Sequence, residues 1–329
     1  MRAHRLPFCL ALAFGASVTI SPSHAEEIAV GNYAVSANGM PYAVAMAKGF
    51  FQQEGANVTG IITSAGGGTS LRNMLTGSVP FGEVNPGAVI SAIQQGADLK
   101  IISDDVLTVG EFIWAVKLDS PIKTLKDFKG KKIGYTNPKS TSVALAAMLM
   151  EKAGYTAADA EYVRTGGFGE GVAALDIGVV DIAPVPEPLW SEFHTKYRAI
   201  AVASELLPPL ANVVGVSVTS PTPAKAEFVR AVIRARRKAV TYMEQHPDEA
   251  GDIVAKVYNL DPAIARNAVH NLITSRTAGV EYWGSGQIHL DGIKLAIDVQ
   301  KSVGAITGDV DAKSIVDTQF LPDDIKALK

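Results

Sequence analysis

Two loops carry the residues whose types and spacing best suit the holding of a ligand. Ser64-Ala65-Gly66-Gly67-Gly68-Thr69-Ser70 is glycine-rich and ends in hydroxyl residues, and Asn137-Pro138-Lys139-Ser140-Thr141-Ser142 ends the same way. Each precedes a segment of helical pattern. Backbone N–H groups, hydroxyls and the positive end of a helix dipole there suit an anion. The same residues serve equally as plain helix caps. Asn85 and Glu187 hold matching places after two later strands. Glu187 suits an amine or a ring N–H. Arg164, at a strand end, suits a carboxylate or sulfonate, or is a surface arginine.

Catalytic patterns are not found. Gly130-Lys131-Lys132 lacks the upstream glycine and the hydroxyl residue of a phosphate loop, and Gly167-Phe168-Gly169-Glu170-Gly171 misses dinucleotide spacing. There is no nucleophile elbow and no paired-histidine helix. His194, His246 and His270 read as surface, helix-end or core residues. Asp104-Asp105 reads as a loop end. The chain is therefore expected to bind rather than to react.

The elements that position these loops form two similar halves. In the first, Glu27–Ala34, Asn57–Thr63 and Val79–Val84 read as strands, with a helix from Pro41 to about Glu54 and a short one from Thr69 or Ser70 to Gly77. In the second, Lys132–Thr136, Ala160–Arg164 and Val179–Pro184 read as strands, with helices at Val143–Ala153 and Gly171–Ile177. Gly77 aligns with Gly178, Phe81 with Ile182 and Pro86 with Glu187. Two such units predict two parallel-sheet α/β lobes, with their strand-to-helix loops facing a cleft. The apolar runs Phe112–Leu118 and Val213–Thr219 read as the crossovers between lobes. After Pro221-Thr222-Pro223 the chain turns helical. Arg230, Arg234, Arg236, Arg237 and Lys238 in Ala224–Glu244 read as the solvated face of a helix. Pro247–Tyr258, Pro262–Ser275 and Gly292–Val303 read as further helices.

The chain has 329 residues, of which 47% are hydrophobic and 19% charged, which is a globular composition. A net charge of −3 argues against a nucleic-acid binder, which would be basic. Arg2, His4 and Arg5 precede the apolar run Leu6–Val18, and Ser23 and Ala25 fit a cleavage site. Residues 1–25 are thus predicted to be a secretory signal peptide. Its removal takes away Cys9, the only cysteine, and with it any disulfide or thiolate metal site.

Three stretches together resemble a known family. Lys48-Gly49-Phe50-Phe51-Gln52-Gln53-Glu54-Gly55 followed by Val58 resembles the KGFF-x-x-EG-x-x-V segment of periplasmic binding proteins for ABC importers. Leu125–Gly134 resembles the L-x-DLKGKKIG start of the second lobe. Ala174-Leu175, Gly178-Val179-Val180-Asp181 and Glu187-Pro188 resemble its AL-x-x-G-x-VDA … EP pattern. The branch in question handles nitrate, sulfonates and taurine, and pyrimidine precursors of thiamine. One departure is Pro80, where the family often has Asp.

The resemblance implies an α/β, two-lobed periplasmic binding protein, type II-like, with two doubly wound sheets joined by a two-strand hinge. Lobe one is expected at residues 26–117 plus 217–329, and lobe two at 118–216. The family's ligand loops fall on Ser36, Asn38 and Met40, on Ser64, Gly67 and Thr69, on Asn85, on Ser140, Thr141 and Ser142, and on Glu187. Tyr33, Trp114 and Trp283 are candidates to pack the solute's body. The implied protein is a monomer in the periplasm, without cofactor or metal. It would capture a small organic anion or zwitterion, sulfonate- or taurine-like, and deliver it to a membrane permease. Two other readings stay open at this point: a pyrimidine-related enzyme on the same fold, and a ligand sensor for a membrane receptor. Fungal pyrimidine-synthase relatives carry a cysteine-rich segment that this chain lacks.

Overall fold

A computed structural model describes residues 25–329; the expected signal peptide, apart from Ala25, lies outside them. In chain order the first lobe opens with β1 (Ala25–Val30), α1 (Met40–Ala47), α2 (Phe50–Gln53), β2 (Asn57–Ile62), α3 (Gly67–Thr76), β3 (Gly82–Val84), α4 (Pro86–Gln94) and β4 (Leu99–Val106). The second holds β5 (Phe112–Lys117), β6 (Lys132–Tyr135), α5 (Thr141–Lys152), β7 (Glu161–Arg164), α6 (Phe168–Asp176), β8 (Ala183–Pro186), α7 (Leu189–Phe193), β9 (Tyr197–Val202) and α8 (Ala203–Leu206). The chain then returns with β10 (Val213–Val218), α9 (Pro223–Gln245), α10 (Pro247–Tyr258), α11 (Pro262–Thr274), β11 (Arg276–Thr277), β12 (Val280–Glu281), β13 (Trp283–Gly286) and α12 (Leu290–Ser302).

The first sheet runs β13-β4-β10-β3-β1-β2. Its β2-β1-β3 part is parallel, and β10 enters antiparallel between β3 and β4. The second sheet repeats this plan. β6 and β7 pair in parallel, a bridge from Ile133 to Ile182 joins them to the β8 side, and β5 enters antiparallel between β8 and β9. Each crossing strand therefore completes the middle of the sheet it enters. Both faces of such a strand are covered, which is why FIWAVK and VVGVSV read as apolar runs rather than as alternating patterns. Strand 112–117 hydrogen-bonds in the second sheet and strand 213–218 in the first. The links that pass between sheets are residues 107–111 and 207–212.

Two sequence expectations change for local reasons. The helix expected from Pro41 to Glu54 is broken at Gly49, whose φ of 67° lies in the left-handed region and ends α1. Thr69 and Ser70 do not cap α3; the helix starts at Gly67, and Ser70 turns inward to be buried. The charged face of α9 also divides. Arg230, Arg234, Arg237 and Lys238 remain on the outer side, whereas Arg236 is 2% exposed. At about 100° per residue, position 236 points away from 234 and 237 together with Val232, Ala239 and Val240.

A candidate solute cleft between the lobes

A cavity of about 60 Å³ lies where the strand-to-helix loops of both sheets meet. Four helix N-termini reach it: α3 through Gly66 and Gly67, α4 through Asn85, α5 through Ser140, Thr141 and Ser142, and α6 through Phe168. The crossing segments add Glu111, Phe112, Asn212 and Val213, and Glu83 and Val84 of β3 lie against it. No lysine, arginine or histidine among the described residues lines it. An anion placed here would be held by N–H groups, hydroxyls and dipoles, each terminus contributing about 0.3–1 kcal/mol or more where water is excluded.

The wall groups are held in place. Asn85 Oδ1 accepts from Ala88 N–H at 2.9 Å, capping α4. A Cβ on Gly67 would stand 2.8 Å from that oxygen, so only glycine lets the α3 loop approach. On the opposite wall, Thr136 N–H donates to Ser142 Oγ at 3.1 Å, and the Ser140 and Ser142 hydroxyls lie 2.9 Å apart. The lobes touch across the cleft. Asn85 Nδ2 donates to the Lys139 carbonyl at 3.2 Å, and Lys139 Nζ donates to Ser91 Oγ at 2.7 Å. Behind the cleft, Asn271 Nδ2 of α11 donates to Glu187 Oε1 at 2.8 Å.

Beneath the first wall sits a buried charge cluster. Arg236 Nε lies 3.4 Å from Glu83 Oε1 and 3.7 Å from Asp105 Oδ2. Its terminal nitrogens donate to the Gly284 carbonyl at 2.8 Å and the Asp105 carbonyl at 2.6 Å. Asn38 Nδ2 donates to Glu83 Oε2 at 2.9 Å. Burial raises the Glu83 carboxyl to about 8, in spite of Arg236, which pulls it down. Burial likewise raises Glu111 to about 8, in spite of its own backbone N–H, of Asn212, whose Nδ2 donates to Oε1 at 2.7 Å, and of the neighbouring Tyr282 hydroxyl, which all pull it down; no cation among the described residues forms an ion pair with it. Asp104 is not at a loop end. It is buried on β4, 3.5 Å from His289 Nδ1, and burial lifts its carboxyl to about 6.

Of the residues singled out in sequence, the cavity brings together Ser36, Asn38, Gly67, Asn85, Ser140, Thr141 and Ser142. Eight others do not line it. Tyr33 packs edge-on against Tyr258, and Met40 is buried in the first turn of α1. Ser64 shares a 2.8 Å hydrogen bond with Ser70, and Thr69 accepts from Arg72. Trp114 is fully buried on the face it shares with Phe112, two residues along the strand, and only the strand's start meets the cavity. Glu187 is occupied: Ser191 N–H donates to Oε2 at 3.1 Å and Asn271 takes Oε1. Arg164 donates to Asn137 Oδ1, and Trp283 Nε1 donates to the Ala37 carbonyl from within the core. Glu83, Glu111, Thr136, Phe168 and Asn212 went unnoticed in sequence. The signal was an acid placed next to an otherwise apolar strand, as in Pro80-Phe81-Gly82-Glu83-Val84 and Glu111-Phe112-Ile113-Trp114.

The family profile described as NMT1/THI5 like matches residues 36–250. The chain belongs to this family. It is 26% identical over 291 residues to a Bacillus subtilis (strain 168) protein named "Putative aliphatic sulfonates-binding protein", covering 85% of this chain and 83% of that one. The alkanesulfonate-binding protein SsuA from Xanthomonas axonopodis pv. citri, solved bound to MOPS, superposes with a TM-score of 0.75 at 19% identity, covering 90% of this chain and 99% of that one. The periplasmic nitrate-binding protein NrtA from Synechocystis PCC 6803 superposes with a TM-score of 0.70 at 12% identity, covering 92% and 86%. The fold of this family member is that of the periplasmic binding proteins. No helix among the described residues is long and apolar enough to cross a membrane.

Proposed function

We propose that this protein is the periplasmic solute-binding component of an ABC importer. It takes a small organic anion or zwitterion of the sulfonate or taurine kind between its lobes and delivers it to a membrane permease. The observation that carries this reading is the convergence of four helix N-termini, two from each lobe, on one cavity. The acidic group of the solute would sit against Gly66, Gly67 and the Ser140–Ser142 turn. Closure would swing one lobe on the other about residues 107–111 and 207–212, where no sheet pairing resists bending. Excluding water strengthens each dipole and hydrogen bond on the solute. The protein would act as a monomer after loss of residues 1–25, and the names of its relatives support the same role.

The test is calorimetric titration of the purified protein, stripped of carried-over ligand, with taurine, alkanesulfonates, nitrate and aminopyrimidines. A Ser140→Ala, Thr141→Ala double variant is expected to bind the best of these about 10- to 100-fold more weakly, from ~0.5–1.5 kcal/mol per hydroxyl. Unchanged affinity with an unchanged melting temperature would refute the placement of the solute.

A further inference from the structure

We propose that Glu111, held by Asn212, forms a subsite for a nitrogen donor of the solute, so that this cleft selects a solute bearing an ammonium or amino N–H over a plain anion. The inference rests on the solute-binding reading above and names the chemistry of the same cleft.

Glu111 is 5% exposed and lines the cavity from the segment that crosses between the lobes. Its two oxygens differ. Oε1 accepts from Asn212 Nδ2, whereas Oε2 has no hydrogen-bond partner. Asn212 cannot be turned the other way, because the same Nδ2 also donates to the Thr108 carbonyl at 3.2 Å. The amide thus fixes Oε1 of Glu111 as an acceptor and leaves Oε2 as the oxygen that can carry or exchange a proton. The Tyr282 hydroxyl, itself buried and unpartnered, is the neighbouring donor that pulls this carboxyl down, and the solute's N–H would compete with it.

The cluster beside the cleft holds more carboxyls than cations. Glu83, Asp105 and Glu111 are all buried, and Arg236 is the cation among them. Asp104 has His289 at the far end of the same strand pair. A buried carboxyl without a cation either keeps a proton or takes a positively charged partner. Glu111 is the member of the group that both meets the cavity and lacks a charged partner. Glu187, the residue in which sequence reasoning placed this role, is filled by Ser191 and Asn271. An amino group at Glu111 and an acidic group at the helix N-termini would place the two ends of a zwitterion on opposite chemistry. An aminopyrimidine would present the same N–H donor from a planar ring.

The test compares solutes that differ in one nitrogen: taurine against ethanesulfonate, and 4-aminopyrimidine against pyrimidine, each titrated calorimetrically into the wild-type protein and into Glu111→Gln. In wild type, the amino-bearing member of one pair is expected to bind about tenfold to a hundredfold more tightly than its partner, the range for a hydrogen bond to a charged group. Which pair shows the preference tells a zwitterion from a heterocycle. Glu111→Gln is expected to erase most of that preference. Ethanesulfonate binding as tightly as taurine, with no preference in the other pair, would overturn the subsite and leave the solute-binding reading standing. A preference that survives Glu111→Gln in folded protein would also overturn it. Failure of all four and of nitrate to bind would overturn the solute-binding reading, and the subsite with it. The wild-type comparison is decisive by itself should the variant fail to fold.

Discussion

Replacing Arg236 by methionine removes the cation from the cluster under the cleft while nearly preserving side-chain volume. The cost follows from what the guanidinium touches. It stands 3.4 Å from Glu83 and 3.7 Å from Asp105, and it donates to the carbonyls of Gly284 and Asp105. Breaking a buried ion pair from one side costs ~3–5 kcal/mol. Each buried carbonyl deprived of a charged donor adds ~1.5–3 kcal/mol, although these overlap with the first figure. Glu83, raised to about 8, already holds most of its proton at pH 7 and so adds little to the charge penalty there. We expect a net loss of about 4–6 kcal/mol at pH 7, a large share of the ~5–15 kcal/mol that holds a domain folded. Urea unfolding followed by circular dichroism reads it: at a slope of ~3 kcal/mol/M the midpoint falls by about 1.5 M. Arg236→Lys is expected to recover less than half, since lysine lacks the planar fork that reaches both carbonyls.

The pH dependence of this variant has a definite sign. The Glu83 carboxyl is raised from an ordinary 4.5 to about 8 in the folded protein, so the folded state holds a proton that the unfolded state has released between those values. Its contribution to stability is therefore full below about 4.5 and is lost as pH rises through about 8. Without Arg236, which lowers that carboxyl, the loss deepens and extends to higher pH. The deficit of Arg236→Met relative to wild type is thus expected to be larger at pH 8.5 than at pH 6. A midpoint within 0.3 M of wild type, or a deficit that shrinks toward high pH, would refute the reasoning.

Gly67→Ala places a Cβ 2.8 Å from Asn85 Oδ1, displacing the cap of α4. A loss of ~1 kcal/mol and at least tenfold weaker solute binding are expected. A melting temperature and affinity both equal to wild type would show that the loop yields. Asn271→Ala removes the hydrogen bond from α11 to Glu187, in the turn between β8 and α7, and leaves a buried carboxyl oxygen unpaired, at ~1–3 kcal/mol. Solution scattering of the solute-free variant is expected to show a larger radius of gyration than wild type. An identical scattering profile would mean that this hydrogen bond does not help hold the lobes together.

The sequence by itself determined the order of elements, the repeat between halves and the hydroxyl-bearing turns. These depend on neighbours a few residues apart: glycine and proline stops, apolar period, caps. That is why Pro247–Tyr258 was read to the residue and why Asn85 and Ser140–Ser142 stand where helices begin. Membership in the family was also legible, because its motifs are short and local. Tertiary structure alone decided which acidic residues line the cavity. Glu187 and Glu111 look alike in sequence, yet Asn271, 84 positions away, fills the first, while Asn212, 101 positions away, takes one oxygen of the second. It also decided the fate of Arg236, which the charge run of α9 concealed. A buried arginine is stable only where distant strands bring carboxyls and carbonyls to it, and β3, β4 and β13 meet there only after the chain has crossed between the lobes and returned.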